Sequence, residues 1–251
     1  MKVLSVAGYH HTGKTTLCVN IIKELRRRGY SVASIKDIHA ENFTMEKEGS
    51  NSWKHWQASQ NVVIARGLKE TCQIWHQHLS LNEMLARLDA DWVIVEGMKT
   101  AALPRIICAE SASQLDELVN GMVFAISGKW ADNHTEYNGL PVFSSQKGIP
   151  TLVNLIEEKV FDVLPQAEPD CCGHCGLDCH RMVAAILAGT RTRDECVTDR
   201  HTGMQLQVNG KEITIVPFVQ NIIRDTMLAL IKNLKGVETG TIKLTIHPDE
   251  K

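Results

Sequence analysis

The sequence predicts an α/β fold, with a mainly parallel sheet and helices on both faces, followed by a small C-terminal α+β metal-binding module. Three observations carry this. Short β-branched runs alternate with stretches of helical periodicity over residues 1–165. A glycine-rich loop separates the first such run from the first helical stretch. Four of the eight cysteines, Cys171, Cys172, Cys175 and Cys179, fall within nine residues, a density that favours metal in a reducing compartment over disulfides.

In chain order, KVLSVAG is the first strand, and TTLCVNIIKELRRRGY is a helix on which Leu17, Ile21, Ile22 and Leu25 share a face. Gly29 stops that helix, and SVASIKD is the second strand, so the opening is a β-loop-α-β unit. DWVIVEG, RIICAE and GMVFAIS read as strands three to five, and LPVFSS as a sixth. WKHWQASQNVVIAR, LSLNEMLARLD and PTLVNLIEEKVFDVL are expected to be helical. The last runs into the Pro-containing linker LPQAEPD, which sets a boundary between a domain at 1–165 and a cysteine-rich module at 166–251. Beyond it come a short helix in HRMVAAILAG, a hairpin in MQLQVNGKEITIV turning at Asn209-Gly210, and a final helix in FVQNIIRDTMLALIKNL.

The chain has 251 residues, of which 43% are hydrophobic, enough for a substantial core. Its net charge is −2 with dispersed Lys and Arg, which argues against nucleic acid or an anionic membrane as main partner. There is no apolar stretch near about 18 residues and no leader pattern, so a cytoplasmic protein is expected. Cys18, Cys72 and Cys108 read as packed core thiols.

Gly8-Tyr-His-His-Thr-Gly13-Lys14-Thr15 fits G-x-x-x-x-G-K-[ST] between a buried strand and a helix, the context that a phosphate loop needs. Gly8 and Gly13 allow close backbone approach, so that N–H groups along His11, Thr12, Gly13, Lys14, Thr15 and Thr16 face phosphate oxygens. Lys14 adds a point charge and Thr15 a hydroxyl for Mg²⁺, implying a purine nucleoside triphosphate as ligand. The His10 and His11 side chains are assigned no chemistry. Glu96, ending the DWVIVEG strand, is the expected second metal ligand and, with Lys14, the catalytic pair. Asp37 is an alternative on the same edge, whereas Asp91 starts its strand and belongs at the far end. Arg66 and Arg105 read as packing residues. Lys129 and Asp132 in SGKWAD are similar to an N-K-x-D base-recognition box with one residue too many, which leaves GTP or ATP open.

Cys172, Cys175 and Cys179 form C-x-x-C-x-x-x-C, and Cys196 follows seventeen residues later. Four thiolates suffice for one site, and the first reading is a [4Fe–4S] cluster. Zinc is second, because structural zinc more often pairs two C-x-x-C knuckles; a thiol cluster without metal is third. Cys171 is an alternative to Cys172, and His174 and His180 read as bystanders.

Taken together, GYHHTGKTTL, the strand ending IKDIH, GSNSWKHWQAS and DWVIVEGMK resemble, in that order and over residues 1–163, the MobB family of molybdopterin-guanine dinucleotide biosynthesis adaptors. The resemblance implies a P-loop NTPase fold and a homodimer that binds GTP and hydrolyses it slowly. It also implies that the protein assists the molybdopterin guanylyltransferase that attaches GMP to molybdopterin. By motif, Lys14 and Thr15 would hold phosphate and Mg²⁺, Glu96 would sit beside the metal, and His39 and Ser52 would face the nucleotide. The chain departs from the family at Asn51, often an Asp there, and at Ala40, where a second His is usual. The simplest members stop before the cysteine module, which looks like the extension of longer relatives; a structural staple, a redox sensor that gates the nucleotide site and a docking surface for a molybdenum or tungsten enzyme all fit it, and a structural or regulatory role is favoured. The alternative is a P-loop ATPase that couples turnover to electron transfer or metal-centre delivery through the cysteines.

Overall fold

The computed structural model describes residues 1–40, 42–166, 175–196, 206–208, 211–213, 217–232, 234 and 242–245. By its contacts the chain divides into two compact units, Met1–Cys196 and Val197–Lys251. The boundary expected at 165/166 lies inside the first unit.

That unit opens with β1 (Lys2–Gly8), α1 (Lys14–Arg27) and β2 (Val32–Lys36), as the β-loop-α-β reading requires. An excursion follows, comprising α2 (Asn51–Ser59) and the antiparallel strands β3 (Val63–Arg66) and β4 (Thr71–Ile74). Then come α3 (Leu81–Leu85), β5 (Trp92–Glu96), β6 (Arg105–Cys108), α4 (Ala112–Leu118) and β7 (Val123–Ser127). Two short strands, β8 (Glu136–Tyr137) and β9 (Leu140–Pro141), lead into α5 (Ile149–Lys159) and α6 (Cys179–Leu187). The second unit contains the antiparallel pair β10 (Leu206–Val208) and β11 (Lys211–Ile213), and the helix α7 (Pro217–Ile231). Among the described residues no helix is long and apolar enough to cross a membrane.

The central sheet is five-stranded and parallel throughout, in the order β2-β5-β1-β6-β7. Side-chain alternation along each strand sends successive residues to opposite faces. Leu4, Val6, Ile94 and Ile106 therefore meet Leu17, Ile21 and Leu25 of α1 and Leu152, Val153 and Ile156 of α5 on one face. Val3, Val93 and Val95 meet Leu81 and Leu85 of α3 on the other, and Ala7, Ile107 and Ile126 meet Leu115 of α4. A sheet covered on both faces explains why its strands read as unbroken apolar runs.

Three expectations are corrected. LPVFSS does not supply a sixth long strand: Leu140–Pro141 pairs only with Glu136–Tyr137, and Val142 touches the sheet through a single bridge to Ile126. WKHWQASQNVVIAR is not one helix. It turns at Gln60, which is left-handed at φ 50°, after which the β-branched run at Val63 and Ile64 goes into a hairpin. Cys72 is an exposed thiol of that hairpin and not a core one, because β3 and β4 form a separate two-stranded sheet. Cys18 and Cys108 are buried as expected. The proposed final hairpin is present in β10 and β11, with its turn residues outside the described set.

A charged clamp ties α1 to α5. Glu24, only 8% exposed, accepts hydrogen bonds from Arg27 Nε at 2.7 Å and Arg28 Nε at 3.0 Å. Arg28 continues to Glu157 and to the Pro150 carbonyl at 2.8 Å. The Arg27 bond, foremost, holds the Glu24 carboxyl down to about 2. A carboxylate depressed in the folded state stabilises above its unfolded pKa, and the benefit is lost as pH falls toward the folded value. Glu24→Gln should therefore lower the Tm at neutral pH. In thermal melts the gap to wild type should close as the pH falls below the ordinary glutamate range toward about 2.

Candidate functional site

Between β1 and α1 the chain forms a tight loop whose shape is set by backbone contacts. Gly8 has φ 151°, and a Cβ there would lie 2.1 Å from the Cys108 carbonyl oxygen. No side chain caps α1: its N-cap is Gly13 at φ 99°, and no acidic residue occupies the first turn. The first N–H groups of the helix are thus left pointing into the loop with the positive end of the dipole, the arrangement that receives anions. Thr12 is fully buried and donates its hydroxyl to the Tyr9 carbonyl at 2.9 Å. Lys14 Nζ reaches the same carbonyl, closing the loop across its mouth. Burial of the ammonium, foremost, lowers the Lys14 pKa.

The parallel register of β1 and β5 pairs Val6 with Glu96, which brings the end of β5 beside the loop. Glu96 Oε1 accepts the Thr15 hydroxyl at 2.8 Å and the Lys36 ammonium at 3.0 Å. Lys36 is the register partner of Glu96 on β2. A hydroxyl and a carboxylate meeting at one point are hard oxygen donors, the set that fits Mg²⁺. Lys99 lies over the Tyr9 ring at 4.3 Å, so Lys14, Lys36 and Lys99 gather positive charge at one edge. Asp37 is engaged otherwise, for its Oδ2 accepts the Met98 N–H at 3.1 Å and lies 3.3 Å from His39 Nε2. The sequence reading missed Lys36: its place at the end of the second strand is visible in the sequence, but its pairing with Glu96 depends on the strand order.

On the other side of the loop, a cavity of about 510 Å³ opens between Gly13, Thr16, Lys129, Asp132, Ser145 and Gln146. Its walls are fixed by Asn20 Nδ2 donating to the Ser145 carbonyl at 2.8 Å and Ser127 Oγ donating to the Phe143 carbonyl at 2.6 Å. The SGKWAD segment therefore borders the phosphate loop in spite of its extra residue. The Ser144–Ser145 wall was not read from the sequence.

Asp91 binds the Ser31 N–H at 2.8 Å and hydroxyl at 2.7 Å at the opposite end of the sheet, as expected. Arg105 is 2% exposed and donates to the Ala101 carbonyl at 2.8 Å, and Arg66 sits on the β3 hairpin. Ser52 meets Ser50, the N-cap of α2, at 3.2 Å. Both His10 and His11 are exposed on the loop, and His11 lines the cavity beside it.

Cys175 and Cys179 are half-buried, and Cys179 and Cys196 belong to one apolar cluster with Met182, Val183 and Leu164. Cys172, and Cys171 as its alternative, lie outside the described residues, as does His174. Among the described residues no three His, Cys, Asp or Glu side chains come together to hold a metal ion. His180, expected to be a bystander, holds the Thr100 carbonyl through Nε2 at 2.7 Å.

Comparison with known proteins gives a consistent set of relatives. The family model of molybdopterin guanine dinucleotide synthesis protein B, MobB, matches residues 3–127. A Methanocaldococcus jannaschii protein described as a molybdopterin-guanine dinucleotide biosynthesis adapter is 30% identical over 254 residues, spanning 98% of this chain and 97% of its own. The Haemophilus influenzae adapter protein is 33% identical over 110 residues, 42% of this chain and 61% of its own. The crystal structure of Bacillus subtilis MobB shares the fold, with a TM-score of 0.54 at 22% identity, covering 65% of this chain and 100% of that one.

Removing the loop ammonium tests the anion site directly. Lys14→Ala should weaken nucleoside triphosphate binding by about ten- to hundred-fold, the range for a hydrogen bond to a charged group, while leaving the circular dichroism spectrum unchanged. Titration calorimetry measures it.

Proposed function

We propose that this chain, which belongs to the molybdopterin-guanine dinucleotide synthesis protein B (MobB) family, is a nucleotide-binding adapter in molybdenum cofactor maturation. In this reading it binds GTP with Mg²⁺ and assists a guanylyltransferase in attaching GMP to molybdopterin. The observation that carries the reading is the convergence of Lys14, Thr15 and Glu96 at the uncapped start of α1, with the Thr15–Glu96 contact at 2.8 Å.

Mg²⁺, when bound, supplies charge at the phosphates, and Thr15 and Glu96 are the residues that would hold it. Slow hydrolysis is supported by what the nearby carboxylates already do. Glu96 is engaged by Thr15 and Lys36, and Asp37 by the Met98 N–H and His39, so neither is placed as a free base for water. Arg105, buried against Ala101, offers no charge for a transition state.

Guanine is favoured by the lateral cavity. A carboxylate such as that of Asp132 accepts from both the ring N–H and the exocyclic amine of guanine, a paired donor edge that adenine lacks. The homodimer fits the exposed Ile64 and Leu68 of the β3–β4 hairpin. Docking of the adapter on molybdenum or tungsten enzymes is a further part of the reading.

The cysteines form the second component: a [4Fe–4S] cluster on Cys172, Cys175, Cys179 and Cys196, with zinc as the competing metal. The shared packing of Cys179 and Cys196 supports it, and the described residues alone do not complete a ligand set. The ATPase alternative is not favoured, since the curated relatives are named as adapters.

Two measurements test these points. Asp132→Asn should reduce the preference for GTP over ATP by about ten-fold or more in competition binding, because one donor–acceptor pair is replaced by a mismatch. An unchanged preference would remove Asp132 from base recognition. Anaerobically purified protein should contain about four irons with matching sulfide per chain. Zinc, or no metal, would refute the cluster.

A further inference from the structure

We propose that the loop following Glu96 couples the nucleotide site to the first turn of α6, which carries Cys179, so that occupation of the nucleotide site changes the stability of that helix. This inference rests on the nucleotide-binding reading. Its basis is that residues 97–102 are held at one end by the nucleotide site and at the other by His180, the neighbour of Cys179, and by Gln166.

At the nucleotide end, Glu96 is bound to Thr15 and Lys36, and the next carbonyl, that of Gly97, accepts the Ser5 hydroxyl at 2.9 Å. The chain then makes a turn that few sequences accommodate. Gly97 has φ 107°, where a Cβ would meet the Asp37 Cβ at 2.9 Å, and Met98 is left-handed at φ 52°. Asp37 holds this turn through the Met98 N–H. A non-glycine residue in that region persists only where its surroundings fix it, so the turn responds to changes at Glu96 and Asp37.

At the other end, His180 in the first turn of α6 donates Nε2–H to the Thr100 carbonyl at 2.7 Å. Gln166 engages both backbone groups of Ala102, accepting from its N–H at 3.0 Å and donating to its carbonyl at 2.8 Å. Ala102 packs in the same apolar cluster as Cys196 and Cys179, the immediate neighbour of His180. The first turn of α6 thus carries both a cysteine of the motif and the contact to the loop.

A cavity of about 330 Å³ lies between the two, bordered by Met98, Thr100, Ala102, Asp178, Cys179 and His180. The loop and α6 are joined by the His180–Thr100 hydrogen bond beside this space, which leaves room for the loop to shift. Occupation of the nucleotide site redraws the partners of Glu96, and the displacement passes along the bonded loop to Thr100 and Ala102. By linkage, whatever stabilises the first turn of α6 changes nucleotide affinity by the same factor.

Hydrogen–deuterium exchange of the full chain, with and without GTP and Mg²⁺, tests this. Nucleotide should slow exchange at residues 8–16, at 97–103 and, by about five-fold or more, at 179–187. His180→Ala, a change at an exposed side chain, should keep the first two responses and lose the third. His180→Gln, which retains an N–H donor, should preserve part of it. Protection at 8–16 with no response at 179–187 in the wild type would overturn the coupling alone, as would a response that survives His180→Ala. No protection at 8–16 would overturn the nucleotide reading and the coupling with it.

Discussion

The insertion of β5 between β1 and β2 is the constraint on which the site depends. Sequence neighbours β1 and β2 do not pair; each pairs in parallel with β5, in registers that bring Val6, Glu96 and Lys36 level. Parallel strands end together at one edge of a sheet, and ligands of such sheets collect outside their C-terminal ends. The phosphate loop leaves β1 at that edge, the carboxylate of Glu96 ends β5 beside it, and the cation of Lys36 ends β2 on the far side. Were β5 displaced by one residue, Glu96 would turn to the opposite face of the sheet and Thr15 would lose its partner. The apolar runs of β1 and β5 resist that slip, since both faces of the sheet are covered by helices.

The electrostatics of this edge follow from the same geometry. Lys14 has Glu96, Lys36 and Lys99 as its charged neighbours, and the start of α1 adds N–H groups that no side chain caps. Such a field suits a polyphosphate carrying its own divalent cation better than it suits a neutral ligand. Two buried thiols, Cys18 and Cys108, lie close to this charge without taking part: burial pushes Cys18 up to about 12, and Cys108 is raised by the same cause, so both remain protonated packing groups.

What could be read from the sequence was whatever depends on local pattern. The loop G-x-x-x-x-G-K-T, the buried strands ending at Gly8, Glu96 and Ser127, and α1 are legible because periodicity and glycine placement determine them. The role of Lys36 was not legible, since it arises from a strand order that pattern alone leaves open. The β3–β4 hairpin was hidden because Trp53, Trp56 and Val63 continue a helical period past Gln60, where a left-handed turn ends it. Asp132 looked out of place by one residue. A short 3₁₀ turn over Gly128–Asp132 nonetheless brings it to the cavity. His180 looked idle because its partner, a backbone carbonyl, leaves no trace in sequence.

The most direct test of the account is the Mg²⁺ dependence of GTP binding in the wild type and in Glu96→Gln. If Thr15 and Glu96 hold the cation, omission of Mg²⁺ should weaken wild-type binding by about ten-fold or more, and Glu96→Gln should bind GTP weakly and almost equally with or without the metal. Wild-type binding indifferent to Mg²⁺, or a Glu96→Gln protein with the full metal dependence, would contradict the assignment of this edge as a metal–nucleotide site.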